Sequence, residues 1–239
     1  MTGINLANPH EYDHRHANVS SGWLRASVFG AMDGLVSNLG LVAGIAAAGA
    51  APHFVAITGI SGLIAGAISM ALGEFTSVRA ANEQLAAEVR IEREAHLRNP
   101  EGEKAELTAL LENLGVESQI AKLAAEQVHE NADQAVRVHL LSELGMSPED
   151  QPSPWVAAIS SFLSFAVGAL IPIIPFFFGF GTLGLGLAFG GVGLLIAGGL
   201  AARFTRRNWL AGAARQLLFG GIAVAATYSI GTLFGVATA

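Results

Sequence analysis

The sequence predicts an all-α membrane protein with five transmembrane helices and a cytoplasmic three-helix acidic domain inserted between spans two and three. Three observations indicate this fold class. Only 13% of the 239 residues are charged, about half the share in ordinary soluble domains. Five apolar stretches reach the roughly 20 residues that a spanning helix needs. Sixteen of the 19 acidic residues lie between positions 74 and 150.

The composition also excludes several classes of protein. The chain has no cysteine, which excludes a disulfide scaffold, a cysteine-type zinc site and an iron–sulfur cluster. Its net charge of −6 argues against nucleic acid as a partner, because such proteins carry a basic surface. We expect no prosthetic group.

The element boundaries follow from the apolar stretches. Residues 1–22 are polar and contain no signal-peptide pattern, so we expect a cytoplasmic N-terminus. Residues 23–73 hold spans one and two, residues 74–154 the acidic domain and its linker, and residues 155–239 spans three to five. The individual stretches are 23–49, 54–73, 155–178, 182–202 and 209–236.

Arginines indicate the orientation in the membrane. The loop 203–207 contains three of them, whereas the loops 50–53 and 179–181 contain no lysine or arginine. Positively charged loops stay in the cytoplasm. We therefore expect residues 74–154 in the cytoplasm and the C-terminus outside, in a membrane that we expect to be a prokaryotic plasma membrane.

Span three contains two prolines, Pro172 and Pro175. A proline removes a backbone donor and kinks a helix, which lipid tolerates only where neighbours satisfy the freed carbonyls. Two interpretations remain open, a structural kink and a segment that shapes a pathway.

The acidic domain reads as three helices. Span two continues to about residue 98, and Asn99-Pro100 breaks it because the residue before proline avoids helical geometry. A second helix covers 100–114 and a third covers 117–144, each closed by a glycine, Gly115 and Gly145.

Carboxylates recur at one-turn spacing on these helices, where residues three or four apart share a face. Such pairs offer hard oxygen ligands, and an added imidazole suits Fe²⁺, Mn²⁺ or Zn²⁺. The alternative is a solvated helix face. The motif Glu126-Gln-Val-His129 matches one half of a ferritin-like di-iron site, which needs two such motifs. The candidate metal ligands are Glu88, Glu92, Glu103, Glu106, His139 and Glu143.

Asp33 lies near the middle of span one. A carboxylate at that depth costs roughly 2.5–3.5 kcal/mol, so it marks an ion or proton path unless it is paired. The alternative is an ion pair with Arg215. Met70 lies at similar depth, and Glu74, at the cytoplasmic end of span two, is placed to pass an ion to the membrane.

Four motifs together resemble the vacuolar iron transporter family. They follow one another in the family's order from about Trp23 to the C-terminus: Asp33-Gly-Leu-Val-Ser-Asn38, Ile68-Ser-Met-Ala-Leu-Gly-Glu-Phe75, Glu143-Leu-Gly145 and Ile171-Pro-Ile-Ile-Pro175. The resemblance implies a five-span homodimer in the lipid bilayer that exchanges cytosolic Fe²⁺ and Mn²⁺ for protons. It also implies that the cytoplasmic domain gathers the metal.

By position, Asp33 and Met70 match the family's residues in the intramembrane ion path. Glu92, Glu103, Glu106 and Glu143 match its cytoplasmic metal cluster. The chain departs from plant members at several positions. Ala95 replaces a glutamate, with Glu94 or His96 as candidate substitutes, and His139-Leu140 replaces a Met-Met pair; Gly22 and Ala26 replace acids near the entrance of span one.

The sequence therefore favours a proton-coupled exporter of divalent metal, which is not an enzyme. The first alternative is a membrane-anchored ferroxidase or metal store, which the lack of a second Glu-x-x-His motif disfavours. The second is a receptor or scaffold, which has no use for a midplane acid such as Asp33.

Overall fold

The computed structural model describes residues 22–147, 151–179 and 181–237, and every regular element in these ranges is helical. The predicted polar N-terminus through residue 21, residues 148–150 near the end of the predicted 74–154 segment, Phe180 and the last two residues lie outside the described residues. The helices are α1 Gly22–Ala47, α2 Pro52–Arg98, α3 Pro100–Asn113, α4 Ser118–His129, α5 Ala132–Leu144, α6 Pro154–Leu170, α7 Ile174–Phe177, α8 Leu183–Phe204 and α9 Trp209–Ala237.

Five helical segments are long and apolar enough to cross a membrane. They correspond to α1, α2, α6 together with α7, α8 and α9. Within the described residues, the prediction of an all-α chain with five apolar helices of membrane-spanning length is therefore confirmed. The chain divides into two compact units, the first comprising Met1–Met70 with Ile159–Ala239 and the second Ala71–Ala158.

Glycines bring α1 of the first unit into backbone contact with α6 and with α9. A Cβ on Gly34 would overlap the Phe165 carbonyl oxygen of α6, and a Cβ on Gly231 of α9 would overlap the Gly44 carbonyl oxygen of α1. Small residues permit this close approach where lipid supplies no hydrophobic drive between helices. Apolar side chains fill the remaining space, including Leu39 against Leu194.

The two prolines interrupt the third span. Helix α6 ends at Leu170, a 3-10 turn covers Ile171–Ile173, and α7 begins at Ile174. The buried Asn38 side-chain amide on α1 donates to the backbone carbonyl of Ala169, in the last turn before this break. A neighbouring side chain thus satisfies backbone at the kink, as an apolar environment demands.

Local capping explains the ends of the helices in the second unit. The Asn99 side chain accepts a hydrogen bond from the Gly102 N–H at 3.2 Å, and Pro100 occupies the first position of α3. Gly145 adopts φ 63° after α5, the left-handed conformation that glycine permits at low cost. The predicted start at Pro100 and the predicted stop at Gly145 are both present.

The predicted third helix, 117–144, is wrong as a single element. It is two helices, because α4 ends at His129 and α5 begins at Ala132. Asn131 is extended (φ −124°, ψ 113°), and its side chain accepts a hydrogen bond from the Gln134 N–H. Asparagine competes well for such capping positions, and Asp133 adds a favourable charge in the first turn. The segment after α2 therefore contains three helices of its own.

Candidate functional site

A cavity of about 440 Å³ lies within the first unit, bordered by α1, α2 and α6. The carboxylate of Asp33 and the thioether of Met70 both line it, together with Asn38 and Ser69. A Cβ on Gly66 would overlap the Phe165 ring, so this glycine lets the ring form one wall. The structure thus brings the two predicted path residues, Asp33 and Met70, to one cavity.

Asn38, which also lines this cavity, has a side-chain oxygen without a hydrogen-bond partner. Its Nδ2 donates a hydrogen bond to the Ala169 carbonyl, whereas its Oδ1 is buried and has no hydrogen-bond partner. A buried carbonyl oxygen without a donor is uncommon and calls for an explanation, such as an ion or water. Amide and carboxylate oxygens are ligands for hard and borderline cations. The sequence motif contained Asn38, but only the structure shows its unsatisfied oxygen.

The alternative interpretation of Asp33 finds no support. Among the described residues, no ion pair or hydrogen bond joins Asp33 to Arg215. Glu74, the third predicted path residue, belongs to the second unit and is half-buried. Its part in passing an ion to Asp33 stays a prediction.

The second unit assembles carboxylates from three helices around His139. His139 is fully buried, and its Nδ1 lies 2.8 Å from Glu143 Oε1, 3.3 Å from Glu92 Oε1 and 3.8 Å from Glu103 Oε2. Glu106 interacts electrostatically with Glu92. We call Glu92, Glu103, Glu106 and Glu143 the carboxylate cluster.

One predicted ligand stands apart from this cluster. Glu88 is half-buried one turn before Glu92, and within the described part of the chain it makes no hydrogen bond or ion pair. One-turn spacing predicted both Glu88 and Glu92 as metal ligands, whereas the packing of the helices brings only Glu92 to His139.

The electrostatics of the carboxylate cluster favour a cation. Burial raises the pKa of the Glu92 carboxyl; His139 acts in the opposite direction, and Glu143, Glu103 and Glu106 raise the pKa further. Burial also lowers the pKa of His96, and neighbouring His139 adds to that effect. Several carboxylates lie close together here, and His96, beside them, resists protonation. A divalent cation would compensate the negative charge that this arrangement leaves.

Sequence reasoning missed two further histidines beside His139. His96 was considered only as a substitute for a family glutamate, and His129 only as half of a di-iron motif. The structure packs both rings against His139, and we call the three residues the imidazole cluster. A signal was present, because His129 continues the buried i, i+4 series of Ala121 and Ala125.

Comparisons with known proteins agree on one family. The sequence model of the VIT family matches residues 24–232. A vacuolar iron transporter of Acanthamoeba castellanii is 34% identical over 227 residues, which cover 92% of this chain and 82% of the relative. Vacuolar iron transporter 1 of Tulipa gesneriana is 27% identical and covers 95% and 92% of the two chains. Vacuolar iron transporter homolog 1 of Oryza sativa subsp. japonica is 33% identical, with 90% and 75% covered.

Proposed function

This chain belongs to the VIT family, and on that premise we propose that it exports Fe²⁺, and also Mn²⁺, from the cytosol in exchange for protons. The relatives named above are iron transporters, and the chain is accordingly a membrane transport protein rather than an enzyme. The ferroxidase or storage alternative is not favoured. We further propose that the chain works as a homodimer in the bilayer.

One observation carries this proposal. Asp33 is the only acidic residue in the five apolar stretches, and it lines a cavity that Met70 and Asn38 also line. The Oδ1 of Asn38 is buried and has no hydrogen-bond partner. A carboxylate at membrane depth needs compensation, and in this cavity the available compensators are a metal ion and a proton.

Competition for Asp33 supplies the exchange. A carboxylate binds metal only when it is deprotonated, so metal and proton displace each other. Metal that arrives from the cytosol releases the proton, and greater acidity on the far side returns the proton and releases the metal. The soft Met70 sulfur favours Fe²⁺ over Mg²⁺ or Ca²⁺ and is a weak enough ligand to allow release.

The carboxylate cluster is the proposed capture site. Residues 74–154 and the N-terminus lie in the cytosol in this proposal, with Glu74 passing the ion from the cluster toward Asp33. The buried Glu92, beside His139 and Glu143, gathers the ion through oxygen ligands that suit Fe²⁺ and Mn²⁺. The membrane we propose is a prokaryotic plasma membrane, whereas the names of the relatives refer to a vacuole.

The test uses purified full-length protein in liposomes with an internal metal-sensing dye and an internal pH dye. Asp33→Asn, nearly isosteric but unable to ionise, should abolish Fe²⁺ uptake and the coupled proton movement. The matched control is Asp133→Asn, which makes the same change on an exposed side chain of the second unit and should retain both signals. Fe²⁺ transport by Asp33→Asn at the wild-type rate and with the same pH dependence would refute the path.

A further inference from the structure

The imidazole cluster joins three helices of the second unit. His96 lies on α2, His129 on α4 and His139 on α5, and their ring centroids are 4.8, 5.0 and 5.4 Å apart. One ring nitrogen of each lies within 4.8 Å of the other two. The His139 ring meets the His96 and His129 rings edge to face, at 88° and 89°, whereas the His96 and His129 rings are tilted by 55°.

Hydrogen bonding fixes the tautomer of His129. Its Nδ1 lies 2.8 Å from the backbone carbonyl oxygen of Ala125. A carbonyl only accepts hydrogen bonds, so Nδ1 carries the proton and, in the neutral ring, Nε2 keeps a free lone pair. That Nε2 is buried and has no hydrogen-bond partner.

His139 is held in the same way. Its Nδ1 lies 2.8 Å from the Glu143 carboxylate, which accepts the Nδ1 proton when it is ionised. The Nε2 of this fully buried ring is again without a partner. A carboxylate or carbonyl behind the opposite ring nitrogen is the arrangement that orients metal-binding histidines and makes them more basic.

His96 completes the set with a third Nε2 that makes no hydrogen bond. This atom lies 3.4 Å from Glu92 Oε1, and burial disfavours protonation of the ring. A buried polar atom without a hydrogen-bond partner destabilises the folded protein, because it has lost its hydrogen bonds to water. Three such nitrogens in contacting rings therefore lower the stability of the folded protein unless one ligand binds all three.

We propose that the imidazole cluster binds one borderline divalent ion, chemically of the Zn²⁺ type, through the Nε2 atoms of His96, His129 and His139. Three nitrogen ligands with one open position suit tetrahedral Zn²⁺, with Zn–N distances of about 2.0–2.1 Å. Such distances put the nitrogens roughly 3.4 Å apart. Ring nitrogens within 4.8 Å of one another would have to approach by up to about 1.4 Å to reach that spacing around an ion.

This site differs from the carboxylate cluster in chemistry and in consequence. Nitrogen ligands favour Zn²⁺ and Co²⁺ over Mn²⁺, whereas oxygen ligands discriminate less between them. The ion would cross-link α2, α4 and α5, so binding should stabilise the second unit against unfolding. The imidazole cluster adjoins the carboxylate cluster through His139 and Glu92, but its test measures the binding of Co²⁺ and Zn²⁺ and does not depend on transport through Asp33.

The test titrates metal-free, full-length protein in detergent with Co²⁺, a spectroscopic substitute for Zn²⁺. We expect the intense visible absorption of four-coordinate Co²⁺, displaced by one equivalent of Zn²⁺. In His129→Gln this absorption should be lost, and the affinity for Zn²⁺ should fall by at least about tenfold. Mutation of a residue that only hydrogen-bonds to a metal ligand already lowers affinity by that much. The matched control is His53→Gln, an exposed histidine of the first unit, which should leave both unchanged.

A second measurement needs no variant and covers the case in which His129→Gln unfolds. One equivalent of Zn²⁺ should raise the thermal unfolding midpoint of the wild-type full-length protein more than one equivalent of Mn²⁺ does. Far-ultraviolet circular dichroism follows the unfolding. A weak, octahedral Co²⁺ spectrum in the wild type, or a Zn²⁺ shift no larger than that of Mn²⁺, would overturn the proposal. An unchanged spectrum in folded His129→Gln would do so as well.

Discussion

The side-chain amide of Asn38 on α1 donates a hydrogen bond to the backbone carbonyl of Ala169, directly before the proline-interrupted part of the third span. This bond ties the helix that carries Asp33 to the kink. The oxygen of the same amide has no hydrogen-bond partner, and Asn38 lines the cavity together with Asp33. One side chain thus serves both the backbone of α6 and the polar lining of the cavity.

Asn38→Ala should therefore destabilise the membrane unit. The buried Ala169 carbonyl would lose its donor, which costs about 1–3 kcal/mol. Thermal unfolding in detergent measures the loss, with Asn113→Ala at the exposed end of α3 as the control. Equal unfolding midpoints for the two variants would show that the Asn38 bond contributes nothing.

Gly34→Ala should disrupt the packing of α1 against α6. The added Cβ meets the backbone oxygen of Phe165 and the backbone nitrogen of Ala169, and backbone cannot rotate away as a side chain can. The matched control is Gly221→Ala on α9, where a Cβ would meet nothing within 4 Å and helix propensity would even improve. We expect a lower yield of folded protein in gel filtration for Gly34→Ala alone.

The proposed orientation can be tested by single-cysteine labelling, because the natural chain contains no cysteine. Cysteines at His53 and Thr182 should react with an impermeant reagent added outside intact cells. A cysteine at Glu117 should react only after the membrane is opened. Labelling of Glu117→Cys alone from outside would reverse the orientation.

Removing two members of the carboxylate cluster should weaken metal capture. Glu103→Gln with Glu106→Gln takes away oxygen ligands and charge near Glu92, so Mn²⁺ affinity measured by calorimetry should fall about tenfold or more. The control is Glu117→Gln with Glu126→Gln, which makes the same change at two exposed positions. The same Mn²⁺ affinity in both double variants would reduce the cluster to a solvated helix face.

The parts of the fold that sequence predicted correctly are those that depend on local chemistry. Apolar length alone identifies a spanning helix, and Pro100 and Gly145 act on the backbone at their own positions. The break at Asn131 was equally local, but a continuous helical pattern on both sides concealed it. A capping asparagine followed by Asp133 was the available signal.

The sites were less predictable because they depend on tertiary contacts. His139 and Glu143 share a face of α5, but Glu92 and Glu103 lie on two other helices, and only the packing of α2, α3 and α5 brings the four residues together. The imidazole cluster draws on α4 as well, through His129. The one-turn spacing of carboxylates predicts Glu88 and Glu92 as ligands equally and does not distinguish between them.

The glycine contacts of α1 have a consequence for movement. Gly34 meets α6 on one face, and Gly44 meets α9 ten residues later on another. Even a single Cβ at Gly34 would overlap the backbone of α6, so a rotation of α1 that brought a larger residue to this contact would be opposed by steric clash. The packing of α1 therefore holds Asp33 in one position. If the carboxylate is reached first from one side of the membrane and then from the other, we expect the helices around α1 to move more than α1 itself.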